Sequence, residues 1–286
     1  MTIEKDCIFV KSLSGYSGCH VNLYRKNNQL FVRKSSGNSS YNNRLKKQFL
    51  KQKYFHIDKI KTPIILNNGY ENNIFFFDME FINGITLAEY MKQITIKEIV
   101  NLTDILFNSL SVNESIYCSD TQYIFEKKIN SLQNVITLDD DFILKAFQCL
   151  KKFDFSNIPC SFCCGDLTLE NIILSPKREI YIIDLLDSFY NSWLLDVAKL
   201  FQDLELGWSY RNVDTSYNLN LRLEVAKQAI LERLKSMPNG DYLCQATYHI
   251  LLLNILRIYP YATDINTIFF LNKSVKKVLT VLNKMR

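Results

Sequence analysis

Short runs with apolar residues, separated by turn signals, fill the first eighty positions. Cys7–Leu13, His20–Arg25 and Gln29–Lys34 are such runs, broken by the turn signals Ser14-Gly15 and Lys26-Asn27-Asn28, and they predict three strands. Ser39–Lys53 changes to helical spacing. Thr62–Leu66 and Asn73–Phe81 predict two more strands, split by Asn67-Asn68-Gly69. Five strands with one helix after the third make a compact α+β unit.

Beyond Gly84 the period lengthens. Thr86–Met91, Ile96–Ser111, Thr121–Ser131 and Phe142–Phe153 read as helices. A short β pair follows, Asn171–Leu174 and Glu179–Asp184, joined by Ser-Pro-Lys-Arg. Trp193–Leu206, Leu219–Ser236, Tyr242–Ile258 and Ile265–Lys284 are helical again. No repeat or low-complexity tract interrupts them. The expected organisation is therefore a β-rich lobe over 1–80, a hinge at 81–84 and a mainly helical lobe over 85–286.

Composition narrows the class. The 286 residues are 48% hydrophobic and 22% charged, enough apolar material for a core and too much for a disordered chain. The strongest apolar stretches, such as Ile250–Leu256, are far shorter than the ~18–20 residues a membrane span needs. The opening residues Met1–Asp6 are polar and of mixed charge, unlike a secretory signal. Eight cysteines in such a chain read as free thiols in a reducing compartment, so a cytoplasmic location is expected. Cys160, Cys163 and Cys164 cluster, but His20, His56 and His249 are scattered, and buried thiols are the expectation there rather than a zinc site.

Charge is uneven. Residues 1–80 hold 13 Lys+Arg and 6 Asp+Glu, net +7, while the other 206 hold 21 and 23, net −2. Such asymmetry suits an anionic ligand near the first lobe, or a solvated lysine-rich helix face. No zinc finger, RNP-like strand or Gly-rich basic tract accompanies it, so nucleic acid is not an expected partner. Peripheral contact with anionic membrane lipid is a further expectation from the same charge.

The chemistry concentrates in Cys164-Gly165-Asp166-Leu167-Thr168-Leu169-Glu170-Asn171 and Tyr181-Ile182-Ile183-Asp184. Asn171 and Asp184 fall on the two strands of a tight hairpin and can converge. Their oxygens are hard donors that suit Mg²⁺. Asp166, on the preceding loop, could orient or deprotonate a hydroxyl. A base, two metal ligands and a cation are what phosphoryl transfer requires. Lys34 is the expected cation, with Arg33 the alternative, since only one of two adjacent strand residues can face a cleft. The turn Ser14–His20, with Gly15, Ser17 and Gly18, could bring backbone N–H groups close to phosphates.

Together these segments resemble the protein-kinase-like fold, and within it the small-molecule kinases of the aminoglycoside phosphotransferase and choline kinase type. That family carries His-Gly-Asp-x-x-x-x-Asn followed by an Ile-Asp strand end; here the residues are Cys-Gly-Asp-Leu-Thr-Leu-Glu-Asn and Ile-Ile-Asp. The resemblance covers most of the chain and implies a bilobal kinase: a small five-stranded N-lobe with one helix, and a large mainly helical C-lobe. Its implied roles are Asp166 as catalytic base, Asn171 and Asp184 as Mg²⁺ ligands, and Lys34 on the ATP phosphates. Met79-Glu80-Phe81-Ile82-Asn83-Gly84 resembles the family's hinge, where the backbone of Glu80 and Ile82 would meet adenine. The acceptor implied is a hydroxyl of a small molecule or glycan. The Asp-x-x-Lys-Leu-x-Gln-Asp run, Asp196 to Asp203, resembles a bacterial subgroup associated with capsule and surface polysaccharide.

The chain departs from the family at three places. Cys164 replaces the family's His and cannot match its hydrogen bonds. No acid lies between Ser35 and Ile57, so the usual Lys–Glu pair cannot form there; Gln48 or Gln52 could bond Lys34 instead. Only eleven residues separate Asp184 from Asp196, too few for a peptide-docking activation segment. Asp187 reads as a second metal or substrate ligand or as a solvated loop acid, and Asp196 as a helix cap bracing the catalytic loop. Trp193, Trp208 and Tyr210 could stack on an acceptor or belong to the core. The competing reading is a catalytically weak pseudokinase serving as a nucleotide-binding or scaffold module.

Overall fold

The computed structural model describes residues 7–13, 18–111, 116–136 and 140–285. The chain forms two compact units. The first comprises residues up to Thr86 together with Asn171–Asp187; the second comprises Leu87–Glu170 and Ser188 onward. The stretch Asn171–Asp187 thus packs with the strand-rich unit, whereas the sequence reading placed it with the helices.

In the first unit the elements run β1 (Ile8–Leu13), β2 (Cys19–Lys26), β3 (Gln29–Ser36), α1 (Asn42–Lys53), β4 (Ile60–Lys61), β5 (Ile65–Glu71), β6 (Ile74–Glu80) and β7 (Ile85–Thr86), joined by β8 (Ile172–Leu174) and β9 (Ile180–Ile182). Five strands make one antiparallel sheet, ordered β1-β2-β3-β6-β5. Its hairpins turn on asparagine pairs, Asn27-Asn28 and Asn72-Asn73, all four in the left-handed region. A two-residue hairpin loop matched to strand twist needs positive φ at both positions, which Asn tolerates. This moves the turn expected at Asn67-Asn68-Gly69: β5 runs through it, and Gly69 pairs with Phe76, whose ring lies 3.4 Å from where a Cβ would sit.

The face of α1 turned to this sheet is Leu45, Gln48, Phe49 and Gln52, a spacing of 3, 4 and 7. Leu45 and Phe49 pack with Leu23, Val32, Phe75, Phe77 and Met79. Each such large apolar side chain contributes ~1.5–3 kcal/mol when fully buried. Two of the four inward positions on α1 are amides, an unusual choice in a core.

A second sheet, β4-β9-β8-β7, was not expected. β4 and β7 have two residues each, too short to show any periodicity, and Thr86 is strand rather than the start of a helix. Gly84 is required here: a Cβ would collide with the Leu174 carbonyl and sit 2.6 Å from the Ile173 side chain.

The second unit contains α2 (Leu87–Tyr90), α3 (Ile96–Ser111), α4 (Thr121–Gln133), α5 (Asp141–Lys152), α6 (Trp193–Leu204), α7 (Tyr217–Ser236), α8 (Gly240–Leu256) and α9 (Ile265–Lys284). α8 is buried on nearly every face and is packed by α6, α7 and α9. A helix apolar all round belongs in a core. No helix among the described residues is long and apolar enough to cross a membrane.

Candidate active site

Alternation along β3 sends Arg33 and Lys34 to opposite faces. Arg33 lies on the outer face: it makes a two-pronged bond to Asp78 at 2.7 and 2.9 Å, meets Glu71 at 3.4 Å and stacks over the Phe76 ring at 4.0 Å. Burial opposes its charge, but Asp78 and then Glu71 outweigh that and hold the guanidinium pKa above the ordinary value. Lys34 lines a cavity of about 170 Å³ and ion-pairs with Asp184. Lys34, not Arg33, is therefore the cation on the cavity side.

Asn171 and Asp184 line the same cavity. The Ile183 N–H donates to the Asn171 carbonyl at 2.9 Å, just before Asp184, and ties the two strand ends together. Asp184 has φ 56°, a left-handed backbone that is uncommon for a residue other than Gly, Asn or Asp. Two hard oxygen side chains, one amide and one carboxylate, fit Mg²⁺, which usually takes one or two protein ligands and completes its shell with phosphate and water. No group of three or more His, Cys, Asp or Glu able to hold a metal occurs among the described residues.

Neither glutamine on α1 bonds Lys34, contrary to the sequence expectation. Gln52 donates to the Pro63 carbonyl at 2.8 Å and lies 3.4 Å from the Met79 sulfur. Gln48 is 1% exposed and faces the cavity, and neither atom of its carboxamide meets a hydrogen-bond partner. The Tyr41 hydroxyl lies near this amide but outside hydrogen-bond geometry. Lys34 takes a carboxylate from a different element because α1 offers none.

Glu80 and Ile82, the expected hinge residues, also line the cavity. The Glu80 N–H is already committed to the Ile64 carbonyl at 2.9 Å, which leaves that donor unavailable to a ligand. Gly18 sits beneath the Tyr41 ring, and its carbonyl accepts from the Gly37 N–H at 2.9 Å. Gly15 and Ser17 lie outside the described residues. Asp187 is exposed and meets Lys47 at 3.2 Å, while Lys51 donates to the Leu186 carbonyl at 2.7 Å. Part of the basic α1 face thus grips the segment after Asp184.

In the second unit, two carboxylates on α6 brace the loop that carries Asp166. Asp196, fully buried, accepts from the Cys164 N–H at 2.5 Å and the Gly165 N–H at 2.8 Å. Asp203, also buried, accepts from the Leu169 N–H at 2.7 Å and the Ser209 N–H at 2.6 Å. Burial pushes the Asp203 carboxyl up to about 6, against the pull of these N–H donors. Gly165 has φ 90°, which bends the loop between these anchors. The Asp166 carboxylate meets the Lys199 ammonium at 3.0 Å. Asp196 is therefore a brace of the loop and not a helix cap; Ser192 caps α6 by accepting from the Leu194 N–H.

Other expectations resolve as packing. Trp193 is 1% exposed and sits edge-on to Phe107; Tyr210 is buried and donates to the Ala88 carbonyl at 2.7 Å. Neither can stack on an acceptor. Trp208 carries the Arg211 guanidinium over its ring at 4.2 Å. None of the described cysteines forms a disulfide, and the Cys163 sulfur lies 3.4 Å from Asn191. Sequence reasoning missed roles for Lys199 and Arg211; only the Asp-Lys-Asp spacing of 3 and 4 along α6 hinted at the first.

No family model matches the chain, and no curated protein matches it by sequence. Solved structures do. Aminoglycoside phosphotransferase APH(4)-Ia shares 12% identity at a TM-score of 0.64, covering 97% of this chain and 94% of that one. A thermostable mutant of the same enzyme, in ternary complex with AMP-PNP and hygromycin B, shares 12% at 0.65, covering 96% and 92%. Choline kinase LicA from Streptococcus pneumoniae shares 16% at 0.56, covering 95% and 94%. The chain has the protein-kinase-like fold, with a five-stranded antiparallel sheet in one unit and a mainly helical remainder.

Proposed function

We propose that the protein is a small-molecule phosphotransferase that moves the γ-phosphoryl group of ATP, with Mg²⁺, to a hydroxyl. The observation that carries this reading is the meeting of Lys34, Asn171 and Asp184 on one cavity. The braced Asp166 loop supplies the other requirement, an oriented base. Lys34 would bind nucleotide phosphate. Asn171 and Asp184 would hold Mg²⁺, which when bound neutralises charge on the phosphates. The Gly18 turn would cover the phosphates, and Glu80 and Ile82 would border the base. In the step itself an acceptor oxygen forms a bond to the γ-phosphorus as the bond to the β-γ bridging oxygen breaks. The acceptor proton passes to the Asp166 carboxylate, and ADP leaves.

The acceptor we favour is a neutral or anionic sugar or glycan. A quaternary ammonium or polyamine acceptor needs an open aromatic face or acidic surface; Arg211 already covers Trp208, and Lys199 already neutralises Asp166. A role in surface polysaccharide synthesis, a cytoplasmic location and contact with anionic lipid are parts of the same proposal. Lys47, Lys51 and Lys61 weaken the lipid part, since each already bonds within its own unit.

A second reading is a nucleotide-binding module with weak turnover. It is favoured by the neutral, unpartnered Gln48 where the family places an acid. One experiment separates the two: Mg-ATP binding and ADP release are measured on the wild type and on Asp184→Ala. Metal-dependent binding with ADP release, both lost in the variant, supports the kinase. Binding without release supports the module, and no binding by the wild type overturns both.

A further inference from the structure

α6 presents three charged side chains to one loop. Asp196, Lys199 and Asp203 are separated by three and four residues and share a helix face. All three turn to residues 164–169: Asp196 to the N–H groups of Cys164 and Gly165, Lys199 to the side chain of Asp166, and Asp203 to the N–H of Leu169. The outer two hold backbone. The middle one holds the side chain that the proposed reaction uses.

The surroundings make this contact more than a surface ion pair. Lys199 is 15% exposed and Asp166 24%, so solvent screens the pair only in part. Asp196 and Asp203 are buried carboxylates on either side of Lys199 along the helix, and Glu170 is close enough to Asp166 to be felt, its own carboxyl raised first by desolvation and then by that neighbour. The Lys199 ammonium itself meets the Asp166 carboxylate at 3.0 Å. It also lies 3.2 Å from the Gln202 amide oxygen, a second contact that limits its swing.

We infer that Lys199 is a positioning residue: it holds the Asp166 carboxylate in the one orientation from which it can take the acceptor proton. This rests on the phosphotransferase reading. A carboxylate on a loop rotates about two bonds, and the braces at Cys164, Gly165 and Leu169 fix its backbone without fixing those rotations. A charge-assisted bond from a rigid helix does. Lys199 therefore acts on the chemical step and not on nucleotide binding, which belongs to residues of the other unit.

The test is ADP release from Mg-ATP with water as acceptor, in wild type, Lys199→Met, Lys199→Arg, Asp166→Asn and the Lys199→Met/Asp166→Asn double variant, alongside Mg-ATP binding and a thermal melt. Misplacing a reacting group by ~1 Å costs on the order of 10²-fold. Lys199→Met should thus lower kcat roughly 100-fold with KM for Mg-ATP unchanged within about twofold, and Lys199→Arg should regain most of the loss. In the double variant kcat should equal that of Asp166→Asn, because there is no base left to position. If Lys199→Met melts early, Lys199→Gln, which keeps the length and loses the charge, replaces it in both arms. Binding with unchanged kcat in the neutral variants overturns this inference alone. So does a double variant whose losses multiply, since Lys199 would then act independently of Asp166. No ADP release by the wild type overturns the phosphotransferase reading and this inference with it.

Discussion

Lys34 on β3 is ion-paired with Asp184, which lies two residues beyond β9 and carries a left-handed backbone. The two lie 150 positions apart in the chain and meet because β8 and β9 pack in the same unit as the five-stranded sheet. Each satisfies the other: Lys34 is nearly buried, and an unpaired ammonium there would be costly. The same geometry places the cation proposed to bind phosphate and the carboxylate proposed to bind metal side by side.

Lys34→Met should remove nucleotide binding without unfolding the protein. The Met side chain keeps the buried stem, and Asp184 remains partly open to solvent, so the melting midpoint without ligand should stay close to wild type. The ~2.7 kcal/mol of stabilisation expected from Mg-ATP at a hundred times its dissociation constant should vanish. Thermal melts with and without Mg-ATP measure both quantities.

Asp184→Gly should be more stable than Asp184→Ala. At φ 56° an Ala Cβ is strained and Gly is not, a difference of about 1 kcal/mol. Both variants should lose the metal-dependent shift. Urea unfolding of the pair reads the difference directly, and equal stabilities would show that the left-handed backbone relaxes.

Asp203→Asn should flatten the pH dependence of stability. Asp203 is charged only above a pH of about 6 when folded, but above about 4 when unfolded. The folded state therefore holds the proton more tightly. Its contribution to stability is fully present below about pH 4 and is lost as pH rises to about 6, a change on the order of 3 kcal/mol. Asn does not titrate, so wild-type stability relative to Asp203→Asn should decline across that window. The variant should also be less stable than wild type, since an amide cannot accept from Leu169 and Ser209 on both of its atoms.

Asp196→Ala should be the most damaging change on α6. It removes the acceptor of the buried Cys164 N–H and of the half-buried Gly165 N–H, at about 1–3 kcal/mol for each group left unsatisfied. Urea unfolding should show that loss, and ADP release should fall with it. A variant that unfolds like wild type would mean that water replaces the carboxylate.

Gln48→Glu should tighten Mg-ATP binding. A carboxylate on the buried face of α1 would compete with Asp184 for Lys34 and leave Asp184 to the metal. Titration calorimetry of Mg-ATP on the variant should give a lower Kd than on wild type; an unchanged or higher Kd would show that Lys34 stays with Asp184.

The sequence alone determined the five strands, the helix between them and most of the helical remainder, because those elements are long enough for a period of two or 3.6 to show. It also singled out Asp166, Asn171 and Asp184 as candidates, whose spacing is local. Short elements escaped it: β4 and β7 have two residues each and hold their place only through partners distant in sequence. Turn position escaped it as well, since Gly69 serves ring packing and the Asn72-Asn73 pair supplies the positive φ. Tertiary structure decided between Lys34 and Arg33, because strand alternation says that they differ and only the packed sheet says which face meets the cavity. It assigned Lys34 to Asp184 rather than to Gln48 or Gln52, and it turned Asp196, Lys199 and Asp203 onto one loop. Those are contacts between elements far apart in the chain, and no local pattern encodes the partner.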